Sequence, residues 1–172
     1  MDNDFRSEIS KRIRLSWVAF SKLRGIIRET TSLRRKVMNQ CIVPVATYAS
    51  ETWALTKKLE DRMVKMQRRM ERSMLGITLR DRWTVEKIRE TTWMADITEV
   101  AKRSKWRWAG HVARSGQQRW MVNVAEWRPD RKRATGRPKR RWGDEIRGFR
   151  ADWWEEVQDQ QSRKELEEAF IQ

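Results

Sequence analysis

One cysteine, one histidine, one tyrosine and three prolines are all that this 172-residue chain holds of those types. Cys41 alone permits no internal disulfide, and with His111 it supplies only half of a four-ligand zinc site, so no structural zinc is expected. No apolar run approaches the roughly 20 residues needed to span a bilayer. The stretch from Met1 to Arg14 is charged rather than signal-like. These absences predict a chain without membrane anchor or secretory route, in a reducing intracellular setting.

What is abundant is positive charge: 39 Lys and Arg face 24 Asp and Glu, a formal net charge of +15. A field of that size draws in polyanions and destabilises the free chain by self-repulsion. The excess is uneven. Up to Trp142 there are 35 basic and 15 acidic residues, and from Gly143 onward 4 basic and 9 acidic. With 38% hydrophobic residues and 11 Trp, the chain has the means to bury a core of one domain or two small ones.

The apolar spacing is helical almost throughout. Ile9, Ile13, Trp17, Phe20, Leu23 and Ile27 recur at three- and four-residue steps, predicting one helix of about six turns capped by Asn3 or Asp4. Leu33, Val37 and Cys41 mark a second stretch, with Pro44 expected to kink it, since the pattern continues through Val45 and Tyr48. The third helix is the clearest. Thr56 is its candidate cap, Leu59, Met63, Met66 and Met70 form its apolar stripe, and Gly76 closes it. Its other faces carry Lys57, Lys58, Arg62, Lys65, Arg68, Arg69 and Arg72. Such a Met stripe reads as core before it reads as a calmodulin-target or membrane-surface face.

After a short segment near Thr84 to Thr92, Asp96 and Glu99 have capping-box spacing ahead of a helix to about Val112. Ile97, Val100, Ala101, Ser104 and Trp108 fall toward one side. A helix turns Trp106 roughly 160° from Trp108, so the two rings cannot share a core layer. One is left for a surface, for packing or for stacking on a base. Beyond the basic segment, Trp142, Ile146, Phe149, Trp153 and Val157 predict another helical face. Ser162 and Glu165 have capping-box spacing before Leu166, Ala169 and Phe170.

Between these lies the strongest chemical signal. Arg128, Arg131, Lys132, Arg133, Arg137, Lys139, Arg140 and Arg141 stand against Asp130 alone, and Pro129, Gly136 and Pro138 oppose helix. An extended basic segment can follow a phosphate backbone, each neutralised phosphate adding salt-dependent affinity. A nuclear-localisation patch and a solvated linker are the other readings of the same residues.

Six stretches, in order, resemble the region downstream of the polymerase palm in RTE-like non-LTR retrotransposon endonuclease–reverse transcriptases. EISKRIRLSWVAFSKL resembles the helix after the palm, CIVPVATYASETWALT a Pro-containing segment ending in Tyr and E-x-W, and MERSMLGITLRDR an L-G-I-x-x-R-D-R stretch. WRWAGHVAR, GRPKRRW and QDQQSRKELEEAF resemble the R-W-x-G-H-V block, the G-R-P-basic-basic-W block and the ending. The resemblance implies an all-α fold: a helical thumb-like, post-palm domain over residues 1–127, a basic Pro/Gly-containing linker over 128–141, and acidic C-terminal helices over 142–172. It also implies partners, namely template RNA, RNA–DNA duplex and the polymerase palm of a full-length protein, with nuclear location ahead of cytoplasmic.

The departures bear on mechanism. Reverse transcriptases hold two catalytic Mg²⁺ ions on adjacent aspartates, which activate the primer hydroxyl and stabilise the leaving pyrophosphate. No Asp-Asp pair occurs in this sequence, so Mg²⁺ is implied for the missing palm, and no cofactor, metal ligand or catalytic residue is assigned to this chain. His111 has no identifiable acid–base partner. The acidic residues Asp81, Asp96, Asp144 and Glu145 are scattered rather than convergent, which speaks against an intact enzyme with its own site or a small-molecule substrate. Charge alone chooses the expected nucleic-acid contacts: Arg137, Lys139, Arg140 and Arg141 first, then Arg131, Lys132 and Arg133. The function expected is that of a C-terminal fragment of an RNA-directed DNA polymerase that binds nucleic acid without catalysis. The alternative is a truncated or domesticated basic module binding acidic proteins or chromatin.

Overall fold

Asp4 to Tyr48 and Lys57 to Val100 build one compact unit, and Ala49 to Thr56 with Ala101 to Gln172 build another. The computed structural model describes residues 5–27, 31–115, 120–126 and 140–171. Among these every regular element is helical, in agreement with the all-α expectation. The domain boundary expected at 127/128 falls within a segment, 127–139, that lies outside the described residues.

In the first unit, α1 (Arg6–Lys22) and α2 (Arg24–Ile27) replace the single six-turn helix. The ladder loses its regularity at Leu23 (φ −97°, ψ 5°), two residues before Gly25, whose backbone freedom disfavours helix. The caps expected from Asn3 and Asp4 lie outside the described residues. Helix α3 (Thr31–Val37) runs into a π-helical turn, Met38–Ile42, and then α4 (Val43–Ala46). Pro44 therefore bends the path without ending it. Ahead of Pro44, which has no N–H to give, the ladder shifts register, and the Val43 N–H reaches Met38 O. That shift also changes the buried face. Met38, Ile42, Val43 and Ala46 are buried, whereas Leu33 and Cys41, expected inside, are exposed.

Helix α5 (Lys57–Leu75) buries Leu59, Met63, Met66, Met70 and Met74. Gly76, at φ +69°, closes it in the left-handed conformation that glycine adopts at least cost. Helix α6 (Val85–Thr92) resolves the short segment: the Thr84 hydroxyl accepts from Lys87 N at 3.2 Å and caps it. The link to α7 (Ile97–Arg114) is fixed by buried polar groups. Gln67 donates to Ala95 O at 3.0 Å and accepts from Ile97 N at 2.9 Å, while Ala95 N donates to Asn39 Oδ1 at 3.2 Å. Arg68 reaches Glu71 at 2.5 Å and Asp96 at 3.6 Å, Gln67 donates to Glu71 at 3.1 Å, and Arg89 completes the pairing of Asp96. Asp96 caps α7 by accepting from the backbone and hydroxyl of Thr98, at 2.9 and 2.6 Å, in place of the reciprocal box expected with Glu99. Arg68, which the spacing places off the Met stripe, is a core residue at 7% exposure.

The second unit takes its core from α7 and the C-terminal helices α9 (Asp144–Phe149), α10 (Trp153–Glu156) and α11 (Gln160–Ile171), with α8 (Trp120–Glu126) preceding them. Trp106 is fully buried and Trp108 half-buried, the reverse of the side on which spacing placed them. Trp106 stacks on Phe170 at 4.8 Å, meets Phe149 edge-on at 5.7 Å, and donates its N–H to Arg163 O at 2.8 Å. Gly110 admits this close approach, since a Cβ there would collide with the Arg163 side chain. The expected face from Trp142 to Val157 is two short helices, broken where Arg150 turns extended (ψ 126°) beyond Gly148. Helix α11 also starts earlier than the Ser162 cap proposed. Asp159 accepts from Ser162 N at 2.6 Å, which holds the Asp159 carboxyl below its usual range.

Ala49 to Thr56 pack in this unit as a short segment with a 3-10 turn at Ser50–Thr52, and three of its carbonyls are bound by side chains. Trp142 donates to Glu51 O at 2.6 Å, Lys105 to Trp53 O at 3.0 Å, and Arg140 to Leu55 O at 2.5 Å. Buried Lys105 is neutralised by Glu145 at 2.8 Å. Glu167 draws in Arg103 at 2.8 Å and Arg107 at 2.9 Å. Burial by itself raises the Glu167 carboxyl, but bonding and charge from Arg107 and Arg103 outweigh it and hold it below the ordinary range.

Two outcomes follow for stability. Arg68→Met leaves Glu71 as a buried charge without its cation and is expected to cost about 3–5 kcal/mol in urea unfolding, most of it recovered by the double change Arg68→Met, Glu71→Leu. Because the Glu167 carboxyl is lowered on folding, its contribution is fully present above about pH 4.3 and is lost as pH falls through the lowered folded value. Glu167→Gln should therefore flatten the acid limb of stability against pH and cost about 1 kcal/mol at neutral pH.

Candidate nucleic-acid interface

Helix α5 has one face committed to the core and one to solvent. The buried residues Leu59, Met63, Met66, Met70 and Met74 fill one side, extended by Gln67 and Glu71. Away from it, Lys58, Arg62, Lys65, Arg69 and Arg72 follow at steps of four, three, four and three. At 100° per residue these five cations fall within an arc of about 80° and span about 21 Å of helix. Lys58, Lys65 and Arg69 are exposed, Arg62 and Arg72 partly so.

None of the five is paired with a carboxylate among the described residues. Arg62 donates to Ser10 Oγ at 2.9 Å on α1, and Arg72 reaches Arg68 O at 3.4 Å. Lys57, just off the stripe, takes up the nearby Glu60 and Asp61, each at 3.7 Å. Like charges at these spacings repel by about 0.2–0.5 kcal/mol per pair. The Met face and the Gln67–Arg68–Glu71 cluster hold the helix in spite of that repulsion. Chemically the stripe is a row of hydrogen-bond donors with fixed positive charge, suited to successive phosphates and carrying no base readout.

Of the contacts expected from sequence, Arg131, Lys132, Arg133, Arg137 and Lys139 lie outside the described residues. Arg140 is half-buried, with its guanidinium on Leu55 O and 3.8 Å from Glu145. The backbone N of Arg141 donates to Asp144 at 2.7 Å, and its side chain is half-buried. His111 is exposed and stacks on Trp108 at 5.0 Å. No group of three or more His, Cys, Asp or Glu side chains among the described residues is arranged to hold a metal. No described helix is long and apolar enough to cross a membrane.

Sequence reading named every cation of α5 without picking out the stripe. The signal was the same three- and four-residue step that found the Met face, applied to Lys and Arg. Separating Arg68 from its neighbours required the partners Glu71 and Asp96, which spacing does not supply.

No protein-family model matches this chain. No solved structure matches it either. The chain is similar to a Caenorhabditis elegans protein described as an uncharacterized transposon-derived protein, with 36% identity over 152 residues. The match covers 84% of this chain and 54% of that protein, so the chain spans about half the length of the relative it matches, and the likeness supports a transposon-derived origin.

Proposed function

We propose that this chain is the nucleic-acid-gripping, C-terminal part of a transposon-encoded RNA-directed DNA polymerase, holding template RNA or RNA–DNA duplex by its phosphates and performing no catalysis by itself. The observation that carries the reading is the five-cation stripe on α5. A helix that keeps Lys58, Arg62, Lys65, Arg69 and Arg72 side by side, with no described carboxylate among them, sustains a repulsion that a polyanion would relieve. The similarity to a transposon-derived protein and the ordered resemblance to the post-palm region of non-LTR reverse transcriptases support the polymerase context. The two-metal chemistry belongs to aspartates this sequence does not contain. This chain's share is to position the duplex, a contribution made through binding and orientation.

The basic segment 128–141 adds to the same grip in this reading, with Arg140 set apart because it also ties down Leu55 and stands near Glu145. The test is affinity for an RNA of about 30 nucleotides and its RNA–DNA hybrid across a salt series, where each lost phosphate contact reduces the log–log slope by about 0.7–0.9. Lys58→Ala, Lys65→Ala, Arg69→Ala combined should bind more weakly with a slope shallower by about 2–3, while its thermal stability is unchanged or raised. Arg140→Ala should lower stability by about 1 kcal/mol and move the slope by less than about 1. Absence of binding to either ligand, or an unchanged slope in the triple variant, would sink the assignment of α5.

A further inference from the structure

An exposed tryptophan stands beside the loop that the buried polar cluster fixes. Trp93 ends α6 with a left-handed backbone (φ 52°, ψ 34°), its N–H bonded to Arg89 O at 2.8 Å. That position favours glycine, which the chain uses at the matching end of α5, and a bulky side chain there is strained. Burial does not offset the strain, because Trp93 is 69% exposed. The indole borders two hollows. One, an open cleft of about 710 Å³, is lined by Arg35, Asn39, Arg89, Glu90, Trp93 and Met94 among others. The other, of about 240 Å³, is lined by Ser32, Arg35, Thr92 and Trp93. The floor is preorganised: Asn39 is bonded to Ala95 N, and Arg89 is held by Asp96.

We infer that Trp93 is a stacking platform for an unpaired nucleotide of single-stranded RNA, with Arg35 as its phosphate contact. The inference rests on the nucleic-acid reading above and narrows it, because that reading concerns phosphates common to single strands and duplexes. An indole face can stack on any base, but only one whose own face is uncovered, which selects single strand over duplex. Arg35 is exposed, borders both hollows, and is paired with no carboxylate among the described residues. Glu90 on the same rim repels a phosphate and accepts from a base amino group, so the backbone runs on the Arg35 side and the base lies toward Glu90.

The experiment compares affinity for a single-stranded RNA of about 12 nucleotides and the matched RNA–DNA hybrid, in the full chain and in Trp93→Gly, Trp93→Phe and Arg35→Ala. Trp93→Gly relieves the backbone strain, so its melting temperature should equal or exceed that of the parent and a loss of binding cannot be attributed to unfolding. Expected are a loss of about 10-fold or more on the single strand with an unchanged salt slope, a change of less than about 2-fold on the hybrid, and retention within about 3-fold in Trp93→Phe. Arg35→Ala should reduce the single-strand slope by about 0.7. Unchanged single-strand affinity in Trp93→Gly, or an equal loss on both ligands, overturns this site while leaving the phosphate grip standing. A parent chain that binds neither ligand overturns both.

Discussion

Glu71 has no exposure to solvent, and its charge is tolerated because Arg68 and Gln67 are beside it on the same helix. The rest of the first unit is arranged around this cluster. Gln67 holds both sides of the peptide link at Ala95 and Ile97, Arg68 joins Arg89 on Asp96, and Asp96 starts α7. Polar groups this deep cost stability unless they are bonded, and here Gln67 and Glu71 are bonded while Arg68 Nε has no hydrogen-bond partner. A helix with methionines on its core face would otherwise be loosely specified, because methionine adapts to many packings. The side-chain bonds from Gln67 and Arg68 fix the rotation of α5, and so decide that Lys58, Lys65 and Arg69 face water.

The same economy of carboxylates runs through the second unit. Glu145 neutralises buried Lys105, and Glu167 serves Arg103 and Arg107 together. A chain with a net charge of +15 thus commits acidic groups to buried Lys105, half-buried Arg103 and exposed Arg107. Among the described residues, the cations left over include Lys58, Arg62, Lys65, Arg69 and Arg72 on α5. That division makes the surplus a surface property, where it is available to phosphates and screened by salt.

How far this was legible in the sequence depends on how local each cause is. The Met face of α5 and its Gly76 terminus are set by neighbours within a few residues, and spacing finds them. Trp106 and Trp108 are different: the wheel says that they part, but Phe149, Arg163 and Phe170 decide which goes inside, and these lie far along the chain. The pattern predicts a kink at Pro44, and the π-helical turn before it puts Met38 and Ile42 inside and Cys41 outside, a change of register no periodic template carries. Asp159 displaced the Ser162 cap because a carboxylate there reaches the free N–H of Ser162. Five of the seven residues chosen for nucleic-acid contact, Arg131, Lys132, Arg133, Arg137 and Lys139, lie outside the described residues.

The motifs that carried the family resemblance have structural work that accounts for much of their pattern. The E-x-W tripeptide places Glu51 and Trp53 so that their carbonyls meet Trp142 and Lys105, and Trp142 is the tryptophan that ends the G-R-P-basic-basic-W block. Gly110, in the R-W-x-G-H-V block, lets the Arg163 side chain approach α7, while Trp106 two residues before that block's Trp108 fills the core. Three blocks separated by tens of residues are therefore bonded or packed into one unit. Packing within this one unit gives the three blocks a structural reason to occur together in this chain. Function must then be sought in residues that this packing leaves unexplained, and in the described chain the unpaired cations of α5 and the exposed indole of Trp93 are the clearest of these.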